Sequence, residues 1–296
     1  MSNGFWIIIT GILVSWSCSL LGCFLVLRKM AMAGDAISHA ILPGIVLAFL
    51  FTGSRDPMAM MIGAGSMGMA ATFLIEFFYK KINLQNDASI GVTFTWLFAI
   101  GVILISVFAG KVDLDQDCVL YGEIAYVPID LWITPSGMVL GPRALWMMGT
   151  VFIVIIVFIS IGYRGLFLTT FDPAYAASIG IATGLWHYLL MSVVSLTTIA
   201  AFESVGAILV VALMIAPAAS AYLLTKKLKM MLLLSCIIDV FIAIGGYYLA
   251  VALNASIAGA MSVVAGILFL IALLWYKRDL LFKKKYETKN DINDID

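Results

Sequence analysis

Asp35 and His39 stand four positions apart in the run Ala33-Gly-Asp-Ala-Ile-Ser-His39, inside an otherwise apolar stretch. Four residues advance an α-helix by about one turn, so the two side chains share a face. A carboxylate oxygen and an imidazole nitrogen so placed are ligands for a divalent transition metal. The other reading is an intrahelical Asp–His ion pair facing a packed interior. Pro43 follows four residues after His39. It has no N–H to give to the His39 carbonyl, which predicts a free oxygen at the same level.

The elements that must hold these residues cross a membrane. The chain has 296 residues, of which 63% are apolar and 11% charged. Its mean hydropathy is +1.10, far outside the soluble range. An acid at the centre of a membrane helix costs roughly 2.5–3.5 kcal/mol on an insertion scale, and such residues are usually functional. Apolar runs long enough to span a bilayer fall at about 5–27, 30–52, 57–78, 88–109, 144–163, 184–202, 205–224, 230–252 and 255–276. The second is the least purely apolar, which predicts a bent or partly re-entrant span and leaves eight crossings as the alternative. Phe5–Leu27 is too long, and lacks the basic leading segment, for a cleavable signal peptide. The neutral net charge gives no sign of a nucleic-acid partner.

Basic residues set the orientation. With the N-terminus outside and the C-terminus cytoplasmic, 14 of the 17 Lys and Arg residues fall inside. Arg28, Lys29, Lys80, Lys81, Arg164, Lys226, Lys227 and Lys229 are among them, with the charged tail 277–296; Arg55, Lys111 and Arg143 stay outside. At about 1.5 Å per residue, Asp35 then lies about 8 Å from the inner end of its span and His39 about 14 Å, near mid-membrane.

Four further ionisable residues lie within the spans. Glu76 precedes Lys80 and reads as structural, reaching the cytoplasmic interface. His187 reads as a hydrogen-bonded packing residue. Glu203, at an outer turn, reads equally as a gate or helix start and as a solvated side chain. Asp239 is deep in its span and needs a partner that the sequence does not name. The four cysteines show no metal-site spacing, and an internal disulfide is not expected. The 16 Met residues read as core and lipid-facing filler.

Two connectors stand out. The outer loop 110–143 holds Asp113, Asp115 and Asp117, but Cys118 occupies the position of the calcium-loop glycine and Ile124 that of its bidentate glutamate. A solvated acidic loop, able to attract cations or dock a partner by charge, is the better reading. After Arg164 the inner loop runs Phe171-Asp172-Pro173-Ala-Tyr-Ala-Ala-Ser-Ile-Gly180-Ile181. Asp172 suits a cap, Pro173 the first helical position and Gly180 the end, which predicts a helix of about seven residues on the cytoplasmic face. Such a helix is a surface for a soluble partner; the plainer reading is a connector. The chain has no phosphate loop and no His-Glu-x-x-His motif.

Four segments, Arg28–Gly44, Asp87–Trp96, Phe171–Ile181 and Glu203–Ala221, together resemble the membrane permeases of bacterial ABC importers for manganese, zinc or iron. The similarity covers about residues 5–276. It implies an all-α polytopic protein of the bacterial plasma membrane working as a dimer, with a second permease copy or a related permease. It implies two ATPase subunits at the cytoplasmic face, which hold the ATP, and an extracytoplasmic metal-binding protein. The family's acid and histidine of the second span match Asp35 and His39, and its coupling helix matches Phe171–Ile181. The chain then reads as a transmembrane permease domain, 1–276, with a cytoplasmic tail, 277–296. The resemblance implies that it is not itself an enzyme and binds no permanent cofactor, with Mn2+, Zn2+ or iron as its cargo. Two Asp35 and two His39 with nearby carbonyls fit manganese or zinc, with a lean to manganese. The rival readings are a secondary carrier relaying protons through Asp35, Glu203 and Asp239, and a membrane enzyme with a hydrolytic metal site.

Overall fold

The computed structural model describes residues 3–53, 57–108, 124–133 and 139–293. Asp113, Asp115, Asp117 and Cys118 lie outside them, and so does the side chain of Glu203. The apolar runs fold as helices α1 (Asn3–Leu27), α2 (Met32–Ala40), α3 (Leu42–Thr52), α4 (Pro57–Lys81) and α5 (Asn86–Phe108). Further along come α6 (Arg143–Phe171), α7 (Pro173–Ser178), α8 (Thr183–Val205), α9 (Ala207–Leu224), α10 (Leu228–Leu253) and α11 (Ile257–Asn293). Helices satisfy every backbone group internally, which is what a lipid environment requires.

Among the described residues eight helices are long and apolar enough to span, α2 and α3 counting as one, and Ile208–Leu224 of α9 is shorter. That segment connects α8 to α10, whose Lys229 sits 5.5 Å over the Tyr163 ring of α6. Counted with the eight, it gives nine candidate passes among the described residues. The 30–52 span is broken, as expected, at Ile41. The 144–163 span is longer than expected: α6 runs on through Arg164 to Phe171. Gly162 and Gly165 let the Trp186 ring of α8 lie directly on the α6 backbone, so residues 164–170 are packed helix and not loop.

The α1 helix is the most enclosed of the spans and α6 the least. Val14, Cys18, Leu21, Phe24 and Leu25 of α1 are buried against α6, α9 and α10. Close approach needs small residues here, since lipid and protein interior are equally apolar and packing carries the association. A Cβ on Gly22 would strike the Met214 carbonyl of α9, and one on Gly44 of α3 the Gly63 carbonyl of α4. Gly22→Val should therefore push α1 from α9 at a cost of about 3 kcal/mol. Less monodisperse protein on gel filtration and earlier thermal unfolding would show it; wild-type behaviour would refute the close crossing.

Outside the helices, a two-stranded antiparallel sheet pairs Leu131–Ile133 (β1) with Val139–Pro142 (β2) after a 3-10 turn at Ile124–Tyr126. Trp132 meets Trp146 edge-on at 6.3 Å, and Gly141 rests on the Trp6 ring. The starts of α1 and α6 thus share one side, where an aromatic belt fits the interface.

Candidate metal-binding site

The α2 helix is short because its two ends are fixed by turns. At its start, α1 closes with Lys29 at φ 58°. The Met30 N–H donates to the Leu25 carbonyl at 2.9 Å and the Lys29 N–H to Val26 at 3.1 Å. This double bond pattern around a left-handed residue is the Schellman turn, completed by the apolar Met30–Leu25 pairing. At its other end, Pro43 stops the α-helical ladder, and the Ile41 N–H falls against the carbonyls of both Ile37 and His39. The His39 oxygen, expected free, thus has a partial partner.

Ala33, Gly34, Ala36, Ile37, Ser38 and Ala40 of α2 are buried. Gly34 lies against the Met214 sulfur, and Ile37 beside the Gly68–Ser195 crossing of α4 and α8. The remaining stripe, Met32, Asp35, His39 and Leu42, follows helical spacing and is exposed at Met32 and half-buried at the other three. His39 Nε2 is 3.5 Å from Asp35 Oδ1, with the side chains 27% and 31% exposed. That spacing is too long for a good hydrogen bond. Two ligands each about 2.1 Å from a tetrahedral ion stand about 3.4 Å apart, so the pair is spread as a chelate would be.

Sequence reasoning missed what holds the imidazole. Phe94 and Phe98 of α5 contact the His39 ring at centroid distances of 5.2 and 5.8 Å. Gly101, one turn further, lies against Pro43. The spacing 94, 98, 101 puts all three on one face of α5. The signal was hidden because α5 is apolar on every side.

The structure does not gather the other candidates here. Asp239 is fully buried between α10 and α1, where the Ser19 hydroxyl donates to its Oδ2; this supplies the partner the sequence could not name. Glu76 is buried and pairs with Lys80. It stands beside Tyr188 and His187. Glu203 belongs by its backbone to the last turn of α8. Among the described residues no three His, Cys, Asp or Glu converge on one point. Cys18, Cys23 and Cys236 are free.

The connector after α6 folds as its caps predict, with the helix six residues long. Asp172 Oδ1 accepts the Tyr175 N–H at 2.9 Å, Pro173 opens the helix and Gly180 closes it at φ 82°. Phe171, Tyr175 and Ile179 are each about half exposed, whereas Ala176 is fully buried. On the same side, Arg28 donates from Nε to Thr170 Oγ1 at 3.1 Å and from Nη2 to Thr169 Oγ1 at 2.9 Å. Burial pushes its guanidinium down to about 10, so it stays charged.

A partly exposed Asp35–His39 pair on a proline-broken helix thus stands in one chain with an exposed, capped short helix. The family model described as "ABC 3 transport family" matches residues 2–276. The chain belongs to the ABC 3 transport family. Family relatives include the manganese transport system membrane protein MntD of Bacillus subtilis, 48% identical and covering 98% of each chain. The zinc transport system membrane protein TroD of Treponema pallidum is 39% identical over 91% of this chain and 73% of its own. The solved structure of PsaBC from Streptococcus pneumoniae in complex with Fab superposes with a TM-score of 0.74 at 31% identity, covering 92% of this chain and 91% of that one.

Proposed function

We propose that this ABC 3 family chain is the membrane permease subunit of an ATP-driven importer that carries a divalent transition metal ion, manganese before zinc or iron, into the cell. The partly exposed Asp35–His39 pair, spread by 3.5 Å on the half-buried stripe of α2, carries the reading. A second copy or related permease facing that stripe brings two carboxylates and two imidazoles to one axis. They replace part of the ion's water shell, tightly enough to admit the ion and loosely enough to release it. The chain itself performs no catalysis. Two ATPase subunits dock on the exposed α7 helices, and a metal-binding protein delivers the ion from outside. Glu203 and Asp239 are accessory.

The test is ATP-dependent manganese uptake into liposomes holding this chain, its ATPase and its binding protein. Uptake driven by a proton gradient without ATP would favour the secondary carrier. That alternative needs a relay through Asp35, Glu203 and Asp239, and Asp239 is sealed between α1 and α10. The orientation has its own check. With the native cysteines replaced, Asn254→Cys should react with an impermeant reagent from outside and Lys226→Cys should not; the reverse pattern would invert the topology.

A further inference from the structure

We propose that Arg28 is the positioning residue through which movement of the α7 helix reaches the metal-bearing α2 helix. The proposal rests on the reading of α7 as the ATPase-docking helix. Arg28 closes α1, and α2 begins four residues later at Met32, with the Schellman turn at Lys29 and Met30 between them. Two backbone hydrogen bonds close that turn, and the Ala33 N–H ties α2 back to Met30 at 3.0 Å, so displacement of Arg28 is passed on to α2. Asp35 is one turn beyond the start of α2.

On the other side, Thr169 and Thr170 lie in the last turn of α6, immediately before the Asp172 cap of α7. The Asp172 N–H donates to Leu168 at 2.9 Å, and α7 folds back through the Ile181 N–H to Ala176 at 3.0 Å. The bracket from Thr169 to Ile181 is therefore stiff at both ends. Thr169 Oγ1 donates its own proton to the Gly165 carbonyl at 2.8 Å, which leaves its lone pairs for Arg28. A planar guanidinium reaches two consecutive hydroxyls at once; a lysine ammonium is a point donor and does not fix the same geometry. The break at Ile41 and Pro43 lets α2 follow Arg28 while α3 stays packed on α4.

The experiment uses the complete importer in liposomes, with manganese as the probe. Thr169→Val/Thr170→Val removes the acceptors while keeping shape and α6 packing, and Arg28→Met removes the donor. In both, manganese transported per ATP hydrolysed should fall at least tenfold, with ATP hydrolysis within twofold of wild type. The manganese concentration for half-maximal uptake should not change. Arg28→Lys should recover part of the ratio. A wild-type transport ratio in the double threonine variant overturns the proposal, as does a parallel loss of hydrolysis and transport in that variant once correctly assembled. Absence of ATP-dependent uptake by the unmutated importer instead overturns the functional reading beneath it. If Arg28→Met fails to assemble, the threonine variant decides.

Discussion

Asp35→Asn should lower manganese uptake about a hundredfold or more, equivalent to about 2.7 kcal/mol of lost stabilisation of the ion on its path. Asparagine keeps the size and polarity of the side chain but removes the negative charge that offsets the cation's lost hydration. His39→Ala should be comparably damaging, because it removes the nitrogen ligand and leaves a gap beside Phe94 and Phe98. A purely structural role predicts a different pattern. The pair is 3.5 Å apart and about one-third exposed, so breaking it should change stability by less than about 1 kcal/mol. Uptake by intact importers in liposomes, read beside the thermal unfolding of each variant, separates the two. Normal uptake in well-folded variants would remove Asp35 and His39 from the metal path.

The second large effect is expected at the α7 surface. Tyr175→Ala combined with Ile179→Ala should weaken ATPase binding by a hundredfold or more, since each truncated anchor in an interface centre costs about 2 kcal/mol. Both side chains are about half exposed, whereas Ala176 between them is fully buried. A charge at Ala176 would unseat α7 from beneath and test folding, not docking. The Tyr175/Ile179 variant should keep its melting temperature while losing ATPase capture in a nanodisc binding measurement and losing ATP-driven uptake. Undiminished capture would place the ATPase contact elsewhere.

The sequence by itself determined the spans, the shared face of Asp35 and His39, and the capped helix at Pro173. Each is a local matter of apolar length, of helical spacing, or of a cap three residues from the N–H it accepts, as Asp172 is from Tyr175. It also predicted a weakness in the second span, which appears as the break between α2 and α3. It did not reveal that Asp239 meets Ser19, 220 positions away, or that Phe94 and Phe98 flank His39. Nor did it join Arg28 to Thr169 and Thr170, more than 140 positions distant. In a soluble helix the contrast between a polar and an apolar face would have marked the inward side. In a membrane both sides are apolar, so neither α5 nor α10 announces which residues face a neighbour. Only tertiary packing, with its close approaches at Gly22, Gly44 and Gly165, decided that α2 leaves Asp35 and His39 partly exposed beside α5. The same packing closed Asp239 away between two helices.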